Sequence, residues 1–217
     1  MGVKPDLNVM DQATLEGDIL TTAWKTVLTK PGGPHRVFWG LETDDPSRLW
    51  AFFDWDSIEQ HEQFAKTHGA DAVKDIPKIC THGELTKHIA MAPSSDVLQS
   101  PSTEVLLVYF PAEISSMYRD ETSSSLQDIF TMSLRNCPDV KEVAYGWGME
   151  NDFPVRGKSG QLASVLIGFI GLSDVKTQAK FHNADAYKEV EAKIKSLEGV
   201  VNFYGFSIEC QKLERDN

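Results

Sequence analysis

The sequence predicts an α+β protein in which one β-α-β-β-α-β unit occurs twice along the 217-residue chain. Two short motifs recur in the same order, roughly 110 residues apart, which is typical of an internal duplication. His68–Ile76 (HGADAVKDI) resembles His182–Val190 (HNADAYKEV), and Trp39–Glu42 resembles Trp147–Glu150. The hydrophobic periodicities of the two halves also predict helices and strands in the same order.

The first half contains the whole unit, although its first strand is weakly indicated. The predicted elements are a strand within 3–10, a helix at 12–29, strands at 36–42 and 48–55, a helix from Ser57, and a closing strand at 83–91. Pro5 limits pairing of the first strand because proline has no amide hydrogen to donate. Asp11 is the expected cap of the first helix, and Ser57 with Gln60 fits a capping box for the second.

The second half repeats this order more completely. The predicted elements are a strand at 103–110, a helix at 117–135, strands at 140–149 and 162–171, helical stretches within 174–197, and a strand at 200–210. Gly199 suits the end of the last helix. Both halves therefore have the ferredoxin-like order of elements. We expect a first domain at 1–95 and a second at 96–217.

The strands also predict how the two units are arranged. Leu49–Phe53 and Val165–Ile170 are apolar on both faces, whereas a strand with one wet face alternates in polarity. Helices cover one face of each antiparallel sheet, and the sheet of the other half is the simplest cover for the second face. We therefore expect two ferredoxin-like units packed as an α+β barrel within one chain, either as a monomer with an internal pseudo-dimer or as a homodimer.

Composition and sequence motifs argue against several classes of partner and cofactor. The chain has 32 acidic and 21 basic residues and a net charge of -11, which disfavours nucleic acids and anionic membrane surfaces. It has no apolar run long enough to span a bilayer and no secretory signal pattern. Cys80, Cys137 and Cys210 have no metal-binding spacing, so we expect a reducing, cytoplasmic location and no bound metal. The sequence also lacks a GxGxxG dinucleotide motif.

One segment of the first half resembles a known family. DPSRLW at 45–50 and FDWDSIEQHEQF at 53–64, with Trp39 and Gly40 upstream, are similar to the antibiotic biosynthesis monooxygenase domain. This resemblance implies the dimeric α+β barrel fold, of which tandem versions are common in fungi. The second half is similar in layout but degenerate, since Leu172 stands in place of Trp55 and Gln178 in place of His61.

The resemblance implies a monooxygenase of secondary metabolism that needs no cofactor. In that chemistry a base deprotonates an acidic substrate, the anion passes an electron to dioxygen, and the two radicals combine. The protein must then supply a dry pocket, a base and hydrogen-bond donors for the developing anion. The partners implied are dioxygen and a small hydrophobic acidic substrate, such as a quinol-like polyketide or an oxylipin acid of the jasmonate type.

Two histidines are the candidate catalytic residues. His61 shares one helix face with Ile58 and Phe64, which directs it toward the sheet. There it is either a base or substrate-orienting group, or a core histidine bonded to a backbone carbonyl. His88 falls on the predicted strand 83–91, opposite the apolar positions, and would point between the sheets or into water. Some cyclases of the superfamily place a histidine on the last strand. His68 and His182 belong to the repeat and are expected to serve as caps.

Aromatic residues are the candidate substrate contacts, with core packing as the alternative. Trp39 and Trp147 each precede a glycine, which leaves room for a flat ligand beside them. The complete candidate set is Trp39, Trp55, Phe64, Tyr145, Trp147 and Tyr204, with the two tyrosines as hydroxyl donors. The segment 150–161, which includes Arg156, is a lid or a subunit contact that brings positive charge to an anionic substrate, or else a plain hairpin extension.

Two other functions remain open at this point. An oxygen-independent polyketide cyclase or decarboxylase would need the same base in the same dry pocket. A non-catalytic small-molecule-binding or stress-response protein would need only the pocket. The ferredoxin-like scaffold serves many chemistries, so the fold alone does not choose among these functions.

Overall fold

The computed structural model describes residues 1–134 and 136–215. Contacts divide the chain into two units, of which the first comprises Met1–Thr86 together with the chain from Glu209 onward, and the second comprises Lys87–Ile208. The first unit contains β1 (Gly2–Val3), α1 (Leu15–Thr29), β2 (Arg36–Leu41), β3 (Leu49–Asp54), α2 (Ile58–Phe64), α3 (Ala70–Ala72) and β4 (Cys80–His82). The second unit contains β5 (Ile89–Ala92), β6 (Ser102–Phe110), α4 (Ser116–Leu134), β7 (Val140–Gly148), β8 (Phe153–Pro154), β9 (Leu162–Leu172), α5 (Gln178–Asn183), α6 (Asp185–Lys195) and β10 (Asn202–Ile208). The last strand, β11 (Gln211–Glu214), belongs to the first unit.

The strands of the second unit are ordered β10-β6-β9-β7-β5, and every neighbouring pair is antiparallel. The first four of these strands come from one β-α-β-β-α-β repeat, in which the first strand lies between the fourth and the third. This is the ferredoxin-like arrangement that the sequence predicts. β5 extends the sheet beyond the second strand of the repeat, and β8 pairs with β9 at its start.

The first unit has the same arrangement with a very short first strand. β11, β2 and β3 form one antiparallel ladder, and β1 pairs with β4. Backbone hydrogen bonds join β1 to the start of β3, from Val3 to the Ser47 carbonyl at 2.7 Å and from Leu49 to the Met1 carbonyl at 2.9 Å. The order is therefore β4-β1-β3-β2-β11, which confirms the α+β fold class built from two ferredoxin-like units.

Two edge strands differ from the sequence prediction. The predicted strand 83–91 is divided into β4, which closes the first unit, and β5, which begins the second, with residues 83–88 outside any strand. The predicted last strand ends at Ile208, and β11 follows it in the first unit. The chain therefore passes from the first unit to the second near residues 86–87 and returns to the first near residues 208–209. The sequence predicts a single boundary, between residues 95 and 96. Periodicity identifies a strand but does not say which sheet edge it joins.

Helix caps follow the predictions in one case and differ in another. α2 begins after Ser57, whose hydroxyl accepts the Gln60 amide at 3.1 Å, as the capping box predicts. α1 is capped by Thr14, which accepts the Gly17 amide at 3.1 Å, so the prediction of Asp11 as the cap is wrong. Asp11 instead accepts the Ala13 amide at 2.9 Å and shapes the turn before the helix.

Each unit has its own core between the helices and one sheet face. In the first unit, the core includes Leu20 and Trp24 of α1, Trp39 of β2, Leu49 of β3 and Phe64 of α2. In the second, buried side chains of α4 and α6 pack against β6, β7 and β9. Ten of the eleven residues of β9 are buried, as the prediction of coverage on both faces requires for Val165–Ile170. In β3 only Leu49 is buried and the other five residues are half-buried, so Leu49–Phe53 is covered less completely than predicted.

Candidate functional site

The helix-facing side of the first unit brings His61, Trp55 and Phe64 together. Trp55 directly follows β3, and the other two residues lie three positions apart on α2, so both face the end of that strand. The His61 and Trp55 rings are 4.9 Å apart between centroids and inclined at 35°. The Phe64 and Trp55 rings are 5.2 Å apart. The arrangement places a half-buried imidazole against an aromatic wall, with Phe64 buried behind it.

A π-helical turn extends this cluster along the chain. α2 continues into a π-helix at Ala65–Gly69, an irregularity that often occurs at functional sites. His68 lies in this turn, and its ring is 5.4 Å from that of Phe64. In the second half His182 directly follows Phe181, so the first half has three additional residues here. The π-helix accommodates these residues and places His68 beside the aromatic cluster.

Two buried indole groups of the first unit have no hydrogen-bond acceptor among the described residues. They are the Nε1 atoms of Trp24 on α1 and Trp39 on β2, whose side chains are 3% and 1% exposed. Trp24 also packs edge-on against Phe53 at 5.2 Å. A buried donor without an acceptor costs about 1–3 kcal/mol. Trp24 Nε1 and Trp39 Nε1 are therefore two unsatisfied donors of the core of the first unit.

In the second unit, the equivalent indole N–H group has hydrogen-bond acceptors within the chain. Trp147 occupies the position of Trp39 in the repeat, and its Nε1 donates to Ser123 Oγ at 2.8 Å and to the Arg119 carbonyl at 3.2 Å. Tyr145 lies on the same face of β7 and donates to Gln127 Oε1 at 3.1 Å. These two candidate residues therefore lie together against α4, in a different unit from His61.

His88 lies outside the strand in which the sequence predicts it. It precedes β5 in the second unit, where its Nδ1 is 2.6 Å from Glu150 Oε1 and its backbone amide donates to Glu150 Oε2 at 3.1 Å. Burial alone would raise the pKa of Glu150, but the hydrogen bonds from His88 outweigh burial and lower this pKa below its usual range. A carboxylate that fixes one nitrogen of an imidazole is a common way to orient a histidine.

Tyr204 lies on β10, against the segment that the sequence leaves open as a lid or a hairpin extension. The Arg156 guanidinium lies 4.2 Å from the Tyr204 ring centroid, and its Nη2 donates to the Tyr204 hydroxyl oxygen at 2.9 Å. Asn202 also donates to the Arg156 carbonyl at 2.9 Å. Together with the pairing of β8 and β9, these contacts are those of a hairpin extension fixed to the sheet.

Sequence reasoning missed a buried polar network in the second unit. Glu104 on β6 is 1% exposed and accepts hydrogen bonds from Tyr187 Oη at 2.9 Å and Ser207 Oγ at 2.5 Å. Tyr187 donates to Oε1 and Ser207 to Oε2. The His182 Nε2 atom also lies 2.8 Å from Oε2, so His182 contacts a buried carboxylate and does not cap a helix as expected. Burial, reinforced by the charge of Glu104, raises the pKa of Tyr187 strongly.

The signal for this network is present in the sequence. Glu104 shares its strand parity with Leu106, Val108 and Phe110, which all face the helices. A carboxylate at an inward position of an apolar strand requires buried partners. The parity alone therefore predicts a polar network at this position, although it does not identify the partners.

One surface cleft of about 200 Å³ lies between α1 and α3 of the first unit. Its floor contains Ile19, Ala23 and Ala72, and its rim contains Asp18 and three further charged residues, Asp71, Lys74 and Asp75. The acidic rim repels anions, so this cleft does not suit an acidic substrate.

In the part of the chain that the structure describes, no three His, Cys, Asp or Glu side chains are grouped so that they could hold a metal ion. No helix among the described residues is long and apolar enough to cross a membrane.

Comparison with known proteins identifies similar folds. The chain is similar over its full length to 91% of a candidate monooxygenase from Fusobacterium nucleatum, with 13% identity and a TM-score of 0.60. It is also similar over 91% of its length to 87% of a candidate monooxygenase from Lactobacillus acidophilus, with 11% identity and a TM-score of 0.54. Neither a protein-family model nor a curated protein matches. At these identities the likeness shows a shared α+β fold and nothing about activity.

Proposed function

We propose that the chain is a tandem antibiotic-biosynthesis-monooxygenase-type enzyme that oxidises a small hydrophobic acidic molecule with dioxygen and without a cofactor. The fold shared with two candidate monooxygenases supports this assignment. The observation that carries it is the pair of buried, unaccepted indole donors, Trp24 and Trp39, in the core that also contains the His61 cluster. A substrate anion would supply the missing acceptor.

In the proposed reaction, His61 takes a proton from the acidic carbon or hydroxyl group of the substrate. The resulting anion gives one electron to dioxygen, and the two radicals combine to form a peroxide on the substrate. Loss of water from that peroxide leaves one oxygen atom in the product as a carbonyl and releases the other as water. Oxidation of a methylene group to a carbonyl releases four electrons. Dioxygen accepts four electrons when one of its oxygen atoms enters the product and the other leaves as water.

Each residue of the first unit has a proposed role in this sequence. Trp55 and Phe64 form an apolar wall that excludes water and keeps the substrate anion reactive. Trp39 donates a hydrogen bond to the anion, and Trp24 is a second donor in the same core. The substrate class is a quinol-like polyketide or an oxylipin acid, both of which combine an apolar body with an ionisable group.

The candidate residues of the second unit have separate proposed roles. We assign Tyr145, Trp147 and Tyr204 to ligand contacts in that unit. His88, with Glu150 on its Nδ1, is the proposed base there. The chain is further proposed to act in the cytoplasm, as a monomer with an internal pseudo-dimer or as a homodimer.

The test uses purified, metal-stripped protein with a panel of anthrones, quinols and oxylipin acids under ¹⁸O₂. Mass spectrometry should show one labelled oxygen atom per product molecule. His61→Gln should lower kcat at least a hundredfold, because general-base catalysis contributes about 10²–10⁴-fold. The matched control is His35→Gln, which changes an exposed histidine of the same unit that pairs with Asp56.

The outcomes separate the competing functions. Conversion that continues without oxygen and gives unlabelled product would indicate a cyclase or decarboxylase. Binding without conversion across the panel would indicate a ligand-binding protein. Full activity of a stably folded His61→Gln variant would remove His61 from the mechanism while leaving the oxygenase assignment intact.

A further inference from the structure

Gln211 is a polar neighbour of Trp39 in the first unit. It is the first residue of β11 and lies directly opposite Trp39 of β2 in their antiparallel ladder. Residues that oppose each other in this way have side chains on the same face of the sheet, with Cβ atoms about 5 Å apart. That face is turned toward the core, because Trp39 belongs to the core and Leu213, two residues after Gln211, packs against it.

The orientation of the Gln211 amide is fixed by the chain. Its Nε2 donates a hydrogen bond to the Met10 carbonyl at 2.7 Å. A carbonyl only accepts hydrogen bonds, so the amide nitrogen must face Met10 and Oε1 must face away from it. Oε1 is buried and has no hydrogen-bond donor among the described residues.

Gln211 Oε1 and Trp39 Nε1 are complementary groups that do not satisfy each other. One accepts hydrogen bonds and the other donates them, and neither has a partner in the part of the chain that the structure describes. A group that bridges them must accept a hydrogen bond from Trp39 and donate one to Gln211. A hydroxyl group does both. A carboxylate cannot donate, so it would leave Gln211 Oε1 unsatisfied.

The second unit has a different residue at the equivalent place. Ala90 of β5 lies opposite Trp147 of β7, as Gln211 lies opposite Trp39. The Trp147 indole donates to Ser123 within the chain. Alanine is therefore sufficient for the pairing of these strands where the chain itself satisfies the indole. The buried amide oxygen of the first unit is not required for strand pairing, which indicates a role in binding.

We propose that Gln211 is a specificity residue of the first unit, which selects a substrate with a neutral hydroxyl group over one with a carboxylate. Before the reaction, the hydroxyl oxygen accepts a hydrogen bond from Trp39 Nε1, and the hydroxyl hydrogen is donated to Gln211 Oε1. This inference rests on the proposed function, because it names the group of the substrate that the core of the first unit binds. It favours a hydroxylated substrate over an oxylipin acid.

Gln211 and Trp39 act at different stages of the proposed reaction. Transfer of the hydroxyl proton to His61 removes the hydrogen that Gln211 accepts, whereas Trp39 keeps its hydrogen bond to the oxygen, which is now an anion. Gln211 therefore contributes to binding of the neutral substrate, and Trp39 to stabilisation of the anion. Loss of the Gln211 amide should raise KM without lowering kcat, whereas loss of the Trp39 indole should lower kcat.

Equilibrium dialysis of the full chain under nitrogen tests the proposal, because the substrate cannot be oxygenated without dioxygen. The ligands are 1-naphthol, 1-methylnaphthalene and 1-naphthoate, which share a ring system and differ in the group that it bears. At neutral pH, 1-naphthol should bind about tenfold more tightly than either of the others, since one additional buried hydrogen bond is worth about this factor. In ¹⁵N-labelled protein, 1-naphthol should also shift the indole N–H signal that Trp39→Phe removes.

Gln211→Ala gives the first unit the residue that the second unit has at Ala90. This variant should bind 1-naphthol about tenfold more weakly and 1-methylnaphthalene with unchanged affinity. Lys212→Ala is the matched control, because Lys212 is exposed on the other face of β11 and its loss should leave all three affinities unchanged. If Gln211→Ala fails to fold, Gln211→Met keeps the length of the side chain without its carbonyl and should show the same loss.

Four results would each overturn the proposal: equal binding of 1-naphthol and 1-methylnaphthalene, tighter binding of 1-naphthoate, no binding of any of the three, or an unchanged 1-naphthol affinity in the Gln211 variants. Failure of the proposed function gives a different result. Hydroxyl-selective binding that depends on Gln211, with no labelled product under ¹⁸O₂, would refute the oxygenase and leave the specificity assignment intact. Labelled product with a KM that Gln211→Ala does not change would refute the role of Gln211 alone.

Discussion

Replacing Trp39 by phenylalanine should separate the stability of the first unit from its function. Trp39 is 1% exposed, and its Nε1 has no acceptor among the described residues. Phenylalanine has no N–H group, so the substitution removes the penalty of about 1–3 kcal/mol that a buried donor without an acceptor imposes on the free energy of unfolding. The smaller ring leaves unfilled volume, and a change of this kind in a core costs about 1–2 kcal/mol. The two effects oppose each other, so the free energy of unfolding should change by between a loss of about 1 kcal/mol and a gain of about 2 kcal/mol.

The effect on catalysis should be much larger. If the Trp39 indole donates to the substrate anion, it acts as an oxyanion-hole donor acts, and loss of one such donor costs about 10²–10³ in kcat. The assays are equilibrium urea unfolding for stability and ¹⁸O incorporation under single-turnover conditions for the chemical step. The expected result is a stable protein that binds substrate and converts it at least a hundredfold more slowly.

Trp50→Phe is the matched control for this experiment. Trp50 lies on the neighbouring strand β3, and its Nε1 donates to the buried carboxylate of Glu42 at 2.8 Å. Loss of a hydrogen bond to a buried charged group should cost about 1.5–3 kcal/mol of stability. The reasoning about Trp39 is refuted if Trp39→Phe loses as much stability as Trp50→Phe, or if it keeps full activity.

Two further predictions concern the second unit. Glu104→Gln should lower the free energy of unfolding by about 3 kcal/mol, because it removes the buried charge that His182 faces, and a loss below 1 kcal/mol in urea unfolding would contradict this. Glu150 has a lowered pKa when folded, so its contribution to stability is present above its unfolded pKa of about 4.3 and is lost as the pH falls through the folded value. The difference in unfolding free energy between the original chain and Glu150→Gln should therefore shrink as the pH falls below about 4. A difference that instead grew below about pH 4 would show that the fold does not stabilise the ionised carboxylate.

Much of the fold could be predicted because it depends on local pattern. β2 and β3 lie within one residue at either end of the predicted ranges 36–42 and 48–55, since apolar strands around a turn are a strong signal. β5 and β11 could not be assigned correctly, because the choice of a sheet edge depends on which unsatisfied backbone groups are nearby in three dimensions. The first helix was given the wrong cap for a related reason: Asp11 and Thr14 are both good capping residues, and the path of the preceding turn decides between them.

The candidate site was predictable where one helix carries it and not where several elements meet. His61, Trp55 and Phe64 are close because their spacing on one short segment fixes their direction. The Glu104 network requires β6, α5, α6 and β10 to converge, and no sequence spacing determines those distances. The predicted catalytic pair of His61 and His88 is placed in two different units, because the strand assigned to His88 was divided between them.

The duplicated positions show how the two units have become different. Trp39 and Trp147 occupy the same place in the repeat, but only Trp147 has acceptors for its indole, supplied by the chain through Ser123 and Arg119. The second unit therefore satisfies within the chain a donor that the first unit leaves without an acceptor among the described residues. The two copies of the repeat have thus diverged at this position, because the helix packed against the sheet supplies Ser123 as an acceptor in the second unit and no described residue is an equivalent acceptor in the first.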